Sequence, residues 1–254
     1  MKLTDSNYWE TSYKSTTFVD IDSHSIASFL KKYLANVKEM ESIEIGSYPG
    51  TFQPTIGRMG YLLNGIDFNL KNATDLPNWL KTLDLHVGNF ETVDFFDFAK
   101  SNTKKYDLVC SFGFLEHFTN YEEVIKGHLD LVKPGGKVII TTPNFRGWMQ
   151  SIPHWLFDRP NLQKHYLPSM NPEKWASILK NNNFEIQFSG YFGGYSFWVD
   201  NLENRSKLKY YLLRFTERSI SQFRKVFNIF QFESLAFSAF CGIVATKKIA
   251  DNTK

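Results

Sequence analysis

Short apolar runs alternate with amphipathic stretches along most of the chain, and this alternation sets the expected fold. Ile43 and Ile45 are apolar at strand spacing, and Leu62, Leu63 and Ile66 form a second buried run that ends at Asp67. Leu85 to Gly88 reads as a third short strand ending at Asn89 and Phe90, Tyr106 to Phe112 as a fourth, and Lys137 to Thr142 as a fifth. Phe184 to Phe188 and Phe237 to Thr246 supply two more. Helical spacing fills the gaps. Ile26, Phe29, Leu30, Tyr33, Leu34 and Val37 share one face of a predicted helix from Ser23 to Met40. A second helix is predicted from Asn120, as N-cap, to Val132, with Glu122 and Glu123 in its first turn. Asn171 caps a third that begins at Pro172 and turns Trp175, Ile178 and Leu179 inward. Strands alternating with helices in this way predict an α/β domain with helices on both faces of its sheet.

Three stretches depart from the alternation. Residues 1–20 are polar with Tyr8, Trp9, Tyr13 and Phe18 interspersed, which reads either as a lid over a ligand or as a staple for the first helix. Residues 145–171 hold prolines, tryptophans and histidines in no helical or strand period, and are expected to form a substrate cap with Trp148 and Trp155 in it. Arg205 to Phe230 is a long amphipathic pattern with Leu208, Tyr211, Leu212 and Phe215 on its apolar face and Lys207, Arg214, Arg218 and Lys225 in a stripe beside it. It is either a core-packed helix with a solvated basic flank or a peripheral contact for a membrane surface. The expected organisation is an N-terminal lid and helix over 1–40, then one domain over 41–254 that carries the cap.

Composition narrows the choices. At 254 residues and 43% hydrophobic, the chain suits one large domain with a sizeable core. The net charge of +3 is too mild to argue for a nucleic-acid partner. Cys110 and Cys241 both lie in apolar runs without disulfide or metal-ligand spacing, so a reducing cytoplasm is the expected compartment. MKLTDSNYWE lacks the apolar core of a signal peptide, and no window approaches the ~18 apolar residues of a membrane span.

The candidate chemistry gathers at IEIGSYPG, where Gly46 and Gly50 permit a tight turn after the first strand. Asp67 closes the second strand about 20 residues on, the spacing at which an acid accepts hydrogen bonds from a ribose diol. A dinucleotide fingerprint would need glycine where Tyr48 and Thr51 stand, and a diphosphate would meet the tyrosine ring. The series EIGSYPG, GID, YDLVCSFGFLEHF and LVKPGGKVIITTPN, in this order over Ser42 to Asn144, instead resembles class I S-adenosylmethionine-dependent methyltransferases. The stretch from FLEHF to KPGG is most similar to the subgroup of quinone O-methyltransferases and many sugar and natural-product methyltransferases.

That resemblance implies a doubly wound, Rossmann-like sheet of seven strands, the last antiparallel. It implies S-adenosylmethionine as cofactor, with Glu44 as the motif acid, the amides of Gly46, Ser47 and Tyr48 along the methionine portion, and the helix after Gly50 near its carboxylate. Asp67 would hold the ribose. Phe68 and Phe90 would sandwich the adenine unless they are ordinary core, and Asn89 would read the adenine amino group unless it merely forms a turn. Ser111, Phe112 and Gly113 would contact the methionyl group and admit the acceptor, while Tyr8, Trp9 and Tyr13 would form a lid. His117, in FLEHF, is the first candidate base, with His154 and His165 in the cap as rivals; His24, His86 and His128 look peripheral to the chemistry, and His128 falls on the core-facing stripe of its helix. Quinone-type relatives carry a metal-binding Glu where Gly113 stands, so no metal is expected. The expected activity is methyl transfer to oxygen or nitrogen of a small molecule such as a sugar, an aromatic or a lipid-linked metabolite. A catalytically silent module that binds the cofactor or its product is the alternative.

Overall fold

The computed structural model describes residues 2–4, 13, 17–194 and 233–249, with isolated positions between 211 and 222. Five strands, β1 (Glu41–Ile45), β2 (Leu62–Asp67), β3 (Val87–Thr92), β4 (Tyr106–Phe112) and β5 (Val132–Pro143), run parallel, followed by β6 (Phe184–Phe192) and β7 (Phe240–Lys247). They form one sheet in the order β3-β2-β1-β4-β5-β7-β6, in which β7 is antiparallel to both neighbours. The doubly wound sheet and the antiparallel last strand therefore match the expected fold.

Both faces of the sheet are covered, which is why its central strands are continuously apolar. Ile43, Ile45, Val109, Val138 and Ile140 point to one side, under the helices α5 (Tyr121–Asp130) and α8 (Pro172–Asn181). Leu63, Leu108, Cys110, Ile139 and Val244 point to the other, against α1 (Ser25–Tyr33), α2 (Gln53–Arg58) and α3 (Asp75–Thr82). A further helix, α4 (Phe95–Ser101), follows β3. Parallel strands end on the same side, so the tips of β1, β2, β3 and β4 and the turns that follow them lie together.

Several boundaries differ from the sequence pattern. The first helix stops at Tyr33, with Leu34 extended at φ −100° and ψ 146°. Leu34 stays buried and Val37 donates its backbone N–H to Met59, so the apolar spacing continues into packed loop. At the second helix Asn120 does not cap through its side chain, which donates to the Glu123 carboxylate instead. Residues 145–171 are mostly helical, with α6 (Trp148–Phe157), α7 (Arg159–Gln163) and a 3₁₀ turn at Leu167–Ser169. Pro153 inside α6 and Pro160 in the first turn of α7 hide that helicity from a periodicity argument.

Tyr8 and Trp9, and most of the amphipathic stretch 205–230, lie outside the described residues. Tyr211, Leu212 and Phe215 of its apolar face are described and are exposed, so a core-packed face is not what these three present. Among the described residues no helix is long and apolar enough to cross a membrane.

Candidate functional site

The turn after β1 is built by its glycines. Gly46 has φ +72° and Gly50 φ +77°, and a Cβ on Gly46 would lie 2.6 Å from the Phe114 ring. Neither position tolerates a side chain without strain. The curled backbone brings the Gly46 and Ser47 amides to the Ile66 carbonyl at 2.9 and 3.0 Å, and the Tyr48 amide to Asp67 Oδ2 at 3.3 Å. The three amides expected along the methionine portion of a cofactor thus donate, within the protein, to the tip of β2. Ser47 is tied further by donation from its hydroxyl to Asn72 Oδ1 at 2.7 Å.

Between this turn and the ends of β2, β3 and β4 lies a cavity of about 310 Å³. Among the described residues three carboxyl groups border it, from Glu44, Asp67 and Asp94. Glu44 is buried with Oε2 lacking a hydrogen-bond partner, and burial, reinforced by the charge of Asp67, holds its pKa well above the carboxylate range. Burial likewise raises Asp67 to about 6, against the opposing effect of the Asn69 and Tyr48 amides on its two oxygens. Lys2 brings the one cationic side chain among the described lining residues, its Nζ 3.4 Å from the centroid of Phe68. Leu3 donates its amide to the His117 carbonyl, so the N-terminal residues reach across the cavity rim.

The structure sorts the predicted site residues. Glu44, Gly46, Ser47, Tyr48, Gly50, Asp67, Phe68, Phe112, Gly113, His117 and Tyr13 line the cavity. Asn89 and Phe90 do not, because β3 runs on to Thr92 and carries both within the strand. Asn89 is exposed and donates from its side chain to Glu91 at 2.5 Å, while Phe90 is buried beside Gly65. The strand tip is instead Val93 and Asp94, whose carboxylate caps α4 by accepting from the Phe96 and Asp97 amides. An Asp before an aromatic helical run is a readable N-cap, obscured by taking Asn89 as a turn. Ser111 is fully buried away from the cavity. Trp148 and Trp155 stand on the outer face of α6, each 56% exposed, rather than over a ligand.

The three candidate bases also separate. His154 is fully buried on the inner face of α6, its ring 4.3 Å from that of Phe145 and its Nδ1 3.6 Å from Asp158, and it does not line the cavity. His165 lies behind His117, ring centroids 5.0 Å apart. His117 alone of the three borders the cavity, and burial pushes its pKa down to about 3 and that of His165 to about 4. Both are neutral imidazoles at ordinary pH. Glu116, beside them, is pushed up to about 8 by burial.

A family model described as a methyltransferase domain matches residues 18–187. The chain belongs to this methyltransferase family. Over 175 residues the methyltransferase domain is 25% identical to the mitochondrial ubiquinone biosynthesis O-methyltransferase of Bos taurus, covering 64% of this chain and 47% of that protein. The chain spans about half the length of the curated relatives it matches. Among solved structures, its fold resembles a SAM-dependent methyltransferase from Archaeoglobus fulgidus at a TM-score of 0.57, with 18% identity, covering 96% of this chain and all of that one. It also resembles the magnesium protoporphyrin IX methyltransferase of Synechocystis PCC 6803 with bound SAM, at a TM-score of 0.52 and 14% identity, covering 95% of this chain and 90% of the other.

Proposed function

We propose that this domain transfers a methyl group from S-adenosylmethionine to an oxygen or nitrogen of a small molecule, of the sugar, aromatic or lipid-linked type. The observation that carries the reading is the acidic lining of the cavity. Asp67 and Asp94 favour a neutral nucleoside over a diphosphate, and Glu44, which burial holds protonated, suits a ligand that brings a sulfonium or ammonium beside it. The unpartnered Glu44 oxygen at the cavity wall fits such a group.

When bound, S-adenosylmethionine supplies a methyl group on a positively charged sulfur, and transfer requires an acceptor lone pair in line with the sulfur–methyl bond. The residues of this chain then have positioning to do, a contribution of about 7–11 kcal/mol in well-oriented reactions. Asp67, held by two backbone amides, keeps lone pairs for the ribose hydroxyls. Asp94 takes the strand-tip place that Asn89 was expected to fill. Glu44 gains a cationic neighbour that offsets its burial. His117 faces the acceptor side as a neutral imidazole and orients the acceptor rather than storing its proton. The buried, free Cys110 and Cys241 fit a reducing compartment such as the cytoplasm.

Calorimetric titration with S-adenosylmethionine, S-adenosylhomocysteine and NADH tests the proposal. Micromolar binding of the first two and none of NADH is expected; NADH binding alone would overturn it. Methyl transfer to some member of an acceptor panel separates an enzyme from a silent binding module.

A further inference from the structure

The turn after β4 and the cap meet behind the cavity at Glu116, His117 and His165. One ligand atom from each residue lies within 4.8 Å of the others. Two of the three follow each other in sequence, and the third arrives from 48 positions on because the cap folds back over the turn. That junction is fastened by backbone: Tyr166 donates its amide to the Glu116 carbonyl at 2.7 Å, and the His117 ring bonds the Lys164 carbonyl through Nδ1 at 3.1 Å.

The ring hydrogen bonds decide which nitrogens keep a lone pair for an ion. A backbone carbonyl only accepts, so His117 Nδ1 carries the proton toward Lys164, and His165 Nδ1 likewise donates to the Asn161 carbonyl at 2.7 Å. In both neutral rings Nε2 therefore holds the lone pair. A carbonyl on the far nitrogen is the usual way a metal-binding histidine is oriented. The Glu116 carboxyl is 1% exposed, and its Oε2 has no hydrogen-bond partner, a costly state for a buried polar atom unless something binds there.

We propose that Glu116, His117 and His165 bind one divalent cation of the zinc type. Two imidazoles and a carboxylate are a borderline-soft donor set suited to zinc or cobalt rather than to magnesium or calcium. Ligand atoms on a tetrahedral ion at about 2.1 Å lie roughly 3.4 Å apart, so separations of up to 4.8 Å close by at most about 1.4 Å on binding. His165, brought in by the cap, would supply the third ligand. His117 lines the cavity, so an open fourth position would face an acceptor oxygen and lower its pKa. That role rests on the methyl-transfer reading; the binding of the ion does not.

The test strips the full chain with a chelator and titrates it with Co²⁺, following visible absorption, with Zn²⁺ as competitor. One Co²⁺ per chain, displaced by Zn²⁺, is expected. His165→Ala and Glu116→Gln should each weaken binding by more than the roughly 10–100-fold that loss of an outer-shell partner costs. S-adenosylhomocysteine binding, measured on the same variants, should be unchanged and serves as the check on folding. The proposal is overturned if the wild-type chain takes up no Co²⁺, or if both variants bind it as tightly as the wild type does. Co²⁺ binding that the variants abolish, in a chain that binds no S-adenosylhomocysteine, would uphold the cation site and sink the methyl-transfer reading alone.

Discussion

Asp67 concentrates the chemistry of the site at the scale of a single residue. Its carboxyl ends β2, accepts from two backbone amides and borders the cavity, and burial raises its pKa to about 6. Only the ionised form accepts hydrogen bonds from both ribose hydroxyls. Because the raised pKa makes the free protein take up this proton early, cofactor affinity should be level above pH 7 and fall by up to about tenfold per unit below pH 6. Asp67→Ala should remove this dependence and cost about 1.5–3 kcal/mol for each charge-assisted hydrogen bond lost. Calorimetry of the wild type and variant from pH 5 to 8 measures both effects. An unchanged affinity in the variant would remove Asp67 from the ribose role.

Elements explain where the sequence signals misled. In β3 only Phe90 is buried, so no alternation marks its length and the sequence ends the strand at Asn89 and Phe90, whereas pairing with β2 carries it to Thr92. The assignments of Asn89 and Phe90 to the adenine shifted with that boundary, and Asp94 came into view. In α5 the reverse holds, since helical spacing alone placed His128 on the inward face. There it is fully buried, with Nδ1 at 2.7 Å from the Val124 carbonyl, and burial lowers its pKa to about 4. A depressed histidine pKa favours folding above the unfolded value of about 6.5, and that stability is lost as pH falls toward 4. Between pH 6.5 and 5 the loss should be about 2 kcal/mol. Urea unfolding of the wild type and His128→Met at both pH values checks this: the variant should lose about 2 kcal/mol less over the interval.

At the scale of the whole molecule, a ligand that binds only the folded chain raises its stability. With S-adenosylhomocysteine at a hundred times its Kd, the gain is about 2.7 kcal/mol, which for a domain of this size is a rise in Tm of roughly 5–10 °C. NADH at the same concentration should leave Tm unmoved. A thermal melt with each ligand reads the difference.

The order of apolar runs, the two glycines of the first turn and the acid at the end of β2 were enough to determine the strand–helix alternation and the side of the sheet on which a ligand would sit, while the seven-stranded order came from the family resemblance. The alternation and the ligand side depend on local spacing and on backbone freedom, both written directly in consecutive residues. Tertiary structure decided which side chains share a space. It spent the turn amides on Ile66 and Asp67, turned Ser111 and Phe90 away from the cavity, and placed Trp148 and Trp155 outward. It also brought His165 to Glu116 and His117 across a cap whose prolines conceal its helices. Such meetings are set by how distant elements pack, and no period within one element encodes them.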